Sequence, residues 1–129
     1  MDATKSYKLL VVDDSDFSRN SISKMLDDER YNIIGEASSA NEAISILNDR
    51  TPHIAIVDIV MPGSSGFELA KKINDNFKDV YIIMISSLAQ ENVVMNAISS
   101  GASDFLQKPF TQETLINSIE KIISTIEEM

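Results

Sequence analysis

Four short apolar runs recur along this chain, separated by stretches with helical spacing. Leu9-Leu10-Val11-Val12, Ile54-Ala55-Ile56-Val57 and Tyr81-Ile82-Ile83-Met84-Ile85 are apolar without alternation, and Asp104-Phe105-Leu106-Gln107 is a weaker fourth. An unbroken apolar strand has both faces buried, which is the condition of a strand inside a parallel sheet covered by helices. The intervening segments are long enough for the crossover helices that parallel strands require. Ser39-Ala40-Asn41-Glu42 has the form of a capping box, and Leu115, Ile119, Ile122 and Ile126 fall at helical spacing behind Thr111. The pattern predicts strands over 8–12, 32–36, 54–57, 80–85 and 104–107, alternating with five helices. The second strand is short and more polar, so it is placed at an edge. Phe17, Ile22, Met25 and Leu26 are expected to form the inner stripe of the first helix.

Each apolar run ends in a polar residue: Asp13 and Asp14, Asp58, Ser86, and Lys108 ahead of Pro109. In an open parallel sheet the carboxyl ends of the strands share one edge, where such folds bind ligands. Three carboxylates, a hydroxyl and an ammonium would converge there. Carboxylates suit a hard divalent cation, and the hydroxyl and ammonium suit a phosphoryl group.

Composition narrows the classes. The chain has 129 residues, which suits one domain with a real core. Its net charge of −9, with scattered basic residues, argues against nucleic-acid backbone binding. Without cysteine there is neither a disulfide framework nor a thiolate metal site. No apolar stretch approaches the ~20 residues of a membrane span. Met1-Asp2-Ala3-Thr4-Lys5 lacks the apolar core of a signal peptide, so a cytoplasmic location is expected. His53, the only histidine, precedes the third strand and reads as a strand-start residue, and the methionines read as core filler. Glu127 and Glu128 oppose the dipole of the last helix, so its final turn is expected to fray.

Val11-Val12-Asp13-Asp14, Asp58 with Met61-Pro62 and Gly66 behind it, Ser86-Ser87, and Gly101-Ala102 leading to Lys108-Pro109-Phe110 together resemble the receiver domain of two-component response regulators. Gly35-Glu36-Ala37 and the run from Gly101 to Phe110 are similar to the single-domain, chemotaxis-type (CheY-like) regulators. The resemblance covers essentially the whole chain and implies one receiver domain over 1–129. It implies a flavodoxin-like, doubly wound five-stranded parallel sheet in the order 2-1-3-4-5. Asp58 would be the phosphoacceptor. Mg²⁺ would be held directly by Asp14, mainly through water by Asp13, and by Asp58 and the backbone carbonyl of Val60. Ser86 and Lys108 would contact the phosphoryl group, and Phe105 would be the aromatic that turns inward with Ser86. Ser87 and the apolar Val60 and Leu88 would flank the site, and the bond before Pro109 would be cis.

The partners implied are a sensor histidine kinase and a protein target that reads the face built from the fourth helix, fifth strand and fifth helix. Direct nucleic-acid binding and membrane insertion are not expected, and the oligomer would be a monomer or a phosphorylation-dependent dimer. The chain would be a switch that catalyses only its own phosphorylation and dephosphorylation. A receiver excised from a longer regulator fits equally. An aspartyl-phosphate phosphatase fits less well, because Val60 stands where such enzymes carry a second acid. A flavin binder is disfavoured by the acidic edge, and a constitutive dimerisation scaffold by the intact site chemistry.

Overall fold

The computed structural model describes residues 5–129; Met1 to Thr4, most of the segment read above as lacking a leader core, lie outside the described residues. Five parallel strands form one sheet: β1 (Tyr7–Val12), β2 (Tyr31–Ala37), β3 (Ile54–Asp58), β4 (Tyr81–Ser86) and β5 (Asp104–Gln107). Their spatial order is β2-β1-β3-β4-β5. The helices are α1 (Asp16–Met25), α2 (Ala40–Asp49), α3 (Gly66–Asn76), α4 (Glu91–Ser99) and α5 (Gln112–Glu127). A two-residue antiparallel ribbon, Val60–Met61 against Ser64–Ser65, fills the loop between β3 and α3. This is the flavodoxin-like architecture expected.

The period of two along the central strands sorts the core into two layers. Leu10, Val12, Ala55, Val57, Ile82 and Met84 pack under α2, α3 and α4 against Ala43, Leu47, Leu69, Ala70, Ile73 and Ala97. Leu9, Val11, Ile54, Ile56, Ile83 and Ile85 pack on the opposite face against Ile22 of α1, Leu26 at its C-cap, and Leu115, Ile119, Ile122 and Ile123 of α5. Each such aliphatic contributes about 1.5–3 kcal/mol when fully buried, so covering both faces is what holds a sheet with few polar contacts.

Hydroxyl caps set four of the helix starts. Ser15, Ser39, Ser65 and Thr111 each accept an N–H of the first helical turn, from Ser18, Glu42, Phe67 and Thr114. The reciprocal arm of the capping box goes one residue earlier than the usual pattern: Glu42 accepts the backbone N–H of Ser38 at 2.8 Å. Gly101 ends the turn after α4 with φ +102°, a conformation that costs a glycine little.

Three expectations change. Phe17 is 83% exposed; it lies outside the stripe, and Ile22 and Leu26 carry the inner face of α1. β2 is an edge strand, yet it is the longest of the five, at seven residues. Pairing with β1 extends it at both ends, from Tyr7 opposite Tyr31 to Val12 opposite Ala37, across a register shift at Leu9/Leu10. The methionines divide: Met61 and Met84 are buried, while Met95 is exposed.

α5 stays helical through Glu127, whose Oε2 accepts the Tyr7 hydroxyl at 2.6 Å. Glu120 holds the middle of the same helix to the start of β2. It takes Arg30 at 2.8 and 2.9 Å and the Tyr31 hydroxyl at 2.5 Å. The Arg30 hydrogen bonds hold the Glu120 carboxyl below its usual range, and burial with Glu120 alongside pushes the Tyr31 phenol up to about 12. A lowered folded-state pKa adds stability that is present above the unfolded value, about 4.3, and lost as pH falls through the folded one. Glu120→Gln should therefore cost roughly 1–2 kcal/mol at pH 7. In urea titrations the gap between variant and parent should close below about pH 4; a gap of constant size across that range would contradict this.

Candidate functional site

Strand register brings the polar strand ends to one edge. Val12 lies opposite Val57, so Asp13 follows β1 at the level of Asp58. Asp58 lies opposite Ile85 and Ser86 opposite Gln107, so Ser86 and Lys108 each sit one step further along. The Lys108 N–H donates to the Ser86 carbonyl at 2.8 Å. The bond joining Lys108 to Pro109 is cis.

Asp13, Asp14 and Asp58 each present a carboxylate oxygen, and the three lie within 4.8 Å of one another. Asp13 is 0% exposed, Asp58 is buried and Asp14 faces solvent. The Lys108 ammonium reaches in from β5, 2.7 Å from Asp13 Oδ2 and 3.3 Å from Asp58 Oδ2. The other Asp58 oxygen accepts the Val60 N–H at 3.2 Å. The buried Ser86 hydroxyl oxygen accepts the Leu88 N–H at 3.0 Å, leaving its proton available to a ligand. Ser87 is exposed, and Val60 and Leu88 are 56% and 44% exposed beside the site. Phe105 is half-buried and packs against the core layer under α2, α3 and α4.

Gly66 holds the β3 end close. A Cβ there would stand 2.3 Å from the Asp58 carbonyl oxygen, nearer than any real contact, and that neighbour is backbone. The Gly66 N–H donates to the Ile59 carbonyl at 2.8 Å. Any side chain at this position would push away the turn that carries Asp58.

The charges act unequally on the two buried acids. Burial raises the Asp13 carboxyl, but hydrogen bonds from Lys108, Ser18 and the Ser15 N–H outweigh it and hold it below its usual range. Burial raises Asp58, the Asp13 charge adds to this, and Lys108 offsets only part. Burial opposes the charged form of Lys108, yet the two aspartates raise it above its usual value. Three carboxylates facing one ammonium suit a divalent cation, which keeps several waters and needs few protein oxygens.

Residues outside the sequence reading also act here. The Ser15 N–H donates to Asp13 Oδ1 at 3.0 Å, the Ser18 hydroxyl donates to Asp13 Oδ2 at 2.5 Å, and Arg19 donates to the Asp13 backbone carbonyl. A serine on the first turn of a helix that directly follows an aspartate pair is the pattern that could have marked Ser18. His53 lies at the opposite end of the sheet, where its Nδ1 accepts the Lys8 N–H at 2.9 Å and its ring meets Tyr7 edge-on.

The response regulator receiver domain family matches residues 9–120. The chain belongs to that family. Among curated relatives, the receiver is 34% identical to the chemotaxis protein CheY of Listeria monocytogenes over 88% of this chain and 96% of that protein. It is 30% identical to CheY of Bacillus subtilis over 92% of this chain and 99% of that one. A solved CheX–CheY–BeF3–Mg²⁺ complex from Borrelia burgdorferi contains a similar chain, with TM-score 0.87, 27% identity, and coverage of 92% here and 90% there. Receiver domains act in two-component signalling, as phosphoacceptor switches that hold Mg²⁺ in an acidic pocket; this receiver has such a cluster of aspartates. Among the described residues no helix is long and apolar enough to cross a membrane.

Because the fold disfavours the Asp58 charge, its ionisation costs stability at pH values above its raised folded-state pKa. Asp58→Asn should raise the melting temperature of the metal-free receiver by a few degrees at pH 7. Thermal unfolding in the presence of a chelator measures it, and a fall in melting temperature would show that Lys108 outweighs the repulsion.

Proposed function

We propose that this chain is a single receiver domain over 1–129 that takes a phosphoryl group from a sensor histidine kinase on Asp58. The observation that carries the reading is the placement of Lys108 Nζ between two buried aspartates, 3.3 Å from Asp58. Asp58 Oδ attacks phosphorus, a P–O bond forms, and the P–N bond to the donor histidine breaks. The imidazole leaves with the electron pair, and no other oxidant, reductant or co-reactant is needed. Phosphoryl transfer depends mainly on positioning and charge neutralisation. Lys108 supplies positive charge on one side of the transferring group, and the Ser86 hydroxyl can donate to one of its oxygens.

The donor set fits Mg²⁺: Asp14 directly, Asp13 through water, Asp58, and the carbonyl of Val60. When bound, the ion supplies positive charge to the phosphoryl oxygens. The Borrelia complex, which contains CheY together with BeF3 and Mg²⁺, supports a Mg²⁺ site in a chain of this fold. Occupancy of Asp58 draws Ser86 toward the phosphoryl group and Phe105 further inward. The face of α4, β5 and α5 changes with them, and a target protein reads it. Its relatives' roles point to chemotaxis as the setting. A cytoplasmic chain that is monomeric, or dimeric when phosphorylated, is consistent with this. The phosphatase alternative has no general acid at Val60, and the reading of an excised receiver leaves the site chemistry unchanged.

Acetyl phosphate with Mg²⁺ should add one phosphoryl group, detected by intact mass, and Asp58→Asn should abolish the addition. Lys108→Ala should still accept beryllofluoride, but the change in the α4–β5–α5 face, followed by amide chemical shifts, should be lost. Unchanged phosphorylation of Asp58→Asn would remove Asp58 as acceptor.

The acyl phosphate should be long-lived. Hydrolysis needs a water aligned behind phosphorus, and the side chains of the two apolar residues flanking the site, Val60 and Leu88, offer it no hydrogen bond. Val60→Asn combined with Leu88→Glu should shorten the lifetime about tenfold or more, the scale of positioning one water. Equal decay of parent and double variant would show that these side chains do not set the lifetime.

A further inference from the structure

Asp14, the acid read above as a direct Mg²⁺ ligand, is exposed. Among the described residues no hydrogen bond holds its carboxylate. Its direction is therefore set by its backbone, and first by the peptide that joins it to Asp13. That peptide lies just past the end of β1. The Asp13 N–H still follows the sheet and donates to the Ala37 carbonyl at 2.9 Å. The Asp13 carbonyl accepts instead from Nη1 of Arg19, on the first turn of α1.

The guanidinium is itself held on three sides. Nη1 meets the Asp13 carbonyl, Nη2 meets the Asp16 carboxylate, and Nε lies 3.4 Å from Glu36 Oε1 on β2. The Arg19 side chain is only 15% exposed. A planar fork with its donors spread over three acceptors has one orientation, which a lysine ammonium on a flexible stem does not reproduce. We infer that Arg19 is a positioning residue for the metal site: it clamps the Asp13–Asp14 peptide and so aims the Asp14 carboxylate into the pocket shared with Asp13 and Asp58. The inference rests on the Mg²⁺ reading of that pocket. Charge alone would give Arg19 the opposite effect, because a guanidinium beside three carboxylates repels an incoming cation and its removal would tighten binding. A role confined to holding α1 against β2 would lower stability and leave the affinity of the folded protein unchanged.

The test titrates Mg²⁺ and, separately, Ca²⁺ into the parent, Arg19→Met and Arg19→Lys, followed by amide chemical shifts. Arg19→Met removes both charge and fork, and Arg19→Lys keeps the charge. Mg²⁺ demands near-ideal octahedral geometry, whereas Ca²⁺ accepts flexible coordination. Arg19→Met should weaken Mg²⁺ binding about tenfold, the scale for losing a group that orients a metal ligand. Ca²⁺ binding should fall by less than about threefold. Arg19→Lys should show the same Mg²⁺-selective loss although the positive charge is kept. Mg²⁺ affinity unchanged or raised in Arg19→Met would overturn the inference, and so would equal losses for both ions in both variants. If Arg19→Met does not fold, Arg19→Lys decides: a selective loss supports the inference, and parent-like Mg²⁺ affinity overturns it. A parent chain that binds neither ion would instead overturn the Mg²⁺ reading and this inference with it.

Discussion

The buried charge of Asp13 is the constraint on which the arrangement of this receiver depends. A carboxylate with no solvent exposure must be met by donors from the protein. These come from distant parts of the chain: the ammonium of Lys108, ninety-five residues away, and the amide and hydroxyl of Ser15 and Ser18 at the start of α1. The β1–α1 junction and the β5–α5 junction are therefore fixed relative to one another by one acid, and Lys108 ties in the end of β3 through Asp58. The strand order makes this possible, because β1, β3, β4 and β5 are consecutive neighbours and end at the same edge.

The site is held together and kept reactive by the same imbalance. One lysine faces two buried aspartates, with a third acid at the surface. Asp13 wins the competition for the ammonium, being below its usual carboxyl range, and Asp58 loses it, being above. Low dielectric strengthens both the attraction and the repulsion. An acid that is poorly compensated and fixed at a strand end is suited to accept a group that brings its own counter-charges. Lys108, already shared between the two, has a short distance to travel.

Much of this was legible in the sequence, for identifiable reasons. Strands buried on both faces read as unbroken apolar runs, so β1, β3 and β4 could be placed within a residue. Their terminal Asp13, Asp58 and Ser86 then fell on one edge by topology alone. Hydroxyl caps at Ser39 and Thr111 are local and follow from spacing. What local pattern cannot show is pairing: β2 gained length from β1, whose register shift is invisible in its composition. Phe17 was misplaced because apolar identity was read as burial, and on α1 its direction is set by where Ile22 and Leu26 meet the sheet. Glu127 escaped because its partner, Tyr7, lies at the other end of the chain. Ser18 was passed over because an isolated serine in a first turn has many local uses.

The elements of the proposed output face differ in how firmly they are held, which bears on how a small change at Asp58 could be read at a distance. α5 is sixteen residues long, buries five of them, and is anchored by Glu120 to Arg30 and Tyr31. β5 is tied to it through Asp104, which accepts the Ser118 hydroxyl at 2.6 Å. α4 has nine residues, buries only Ala97, and starts at Gln90 without a side-chain cap. Met95 and Ile98 lie exposed on it. A helix with few buried contacts and an uncapped start belongs to the least stable part of a fold. Shifting it costs little, so in the proposed switch the contacts that Ser86 and Phe105 would exchange on occupancy of Asp58 need supply only a small difference to favour one arrangement over another. α5 and β5 then act as the fixed reference, and α4, joined to the site by the short segment from Ser86 to Gln90, is the element able to move.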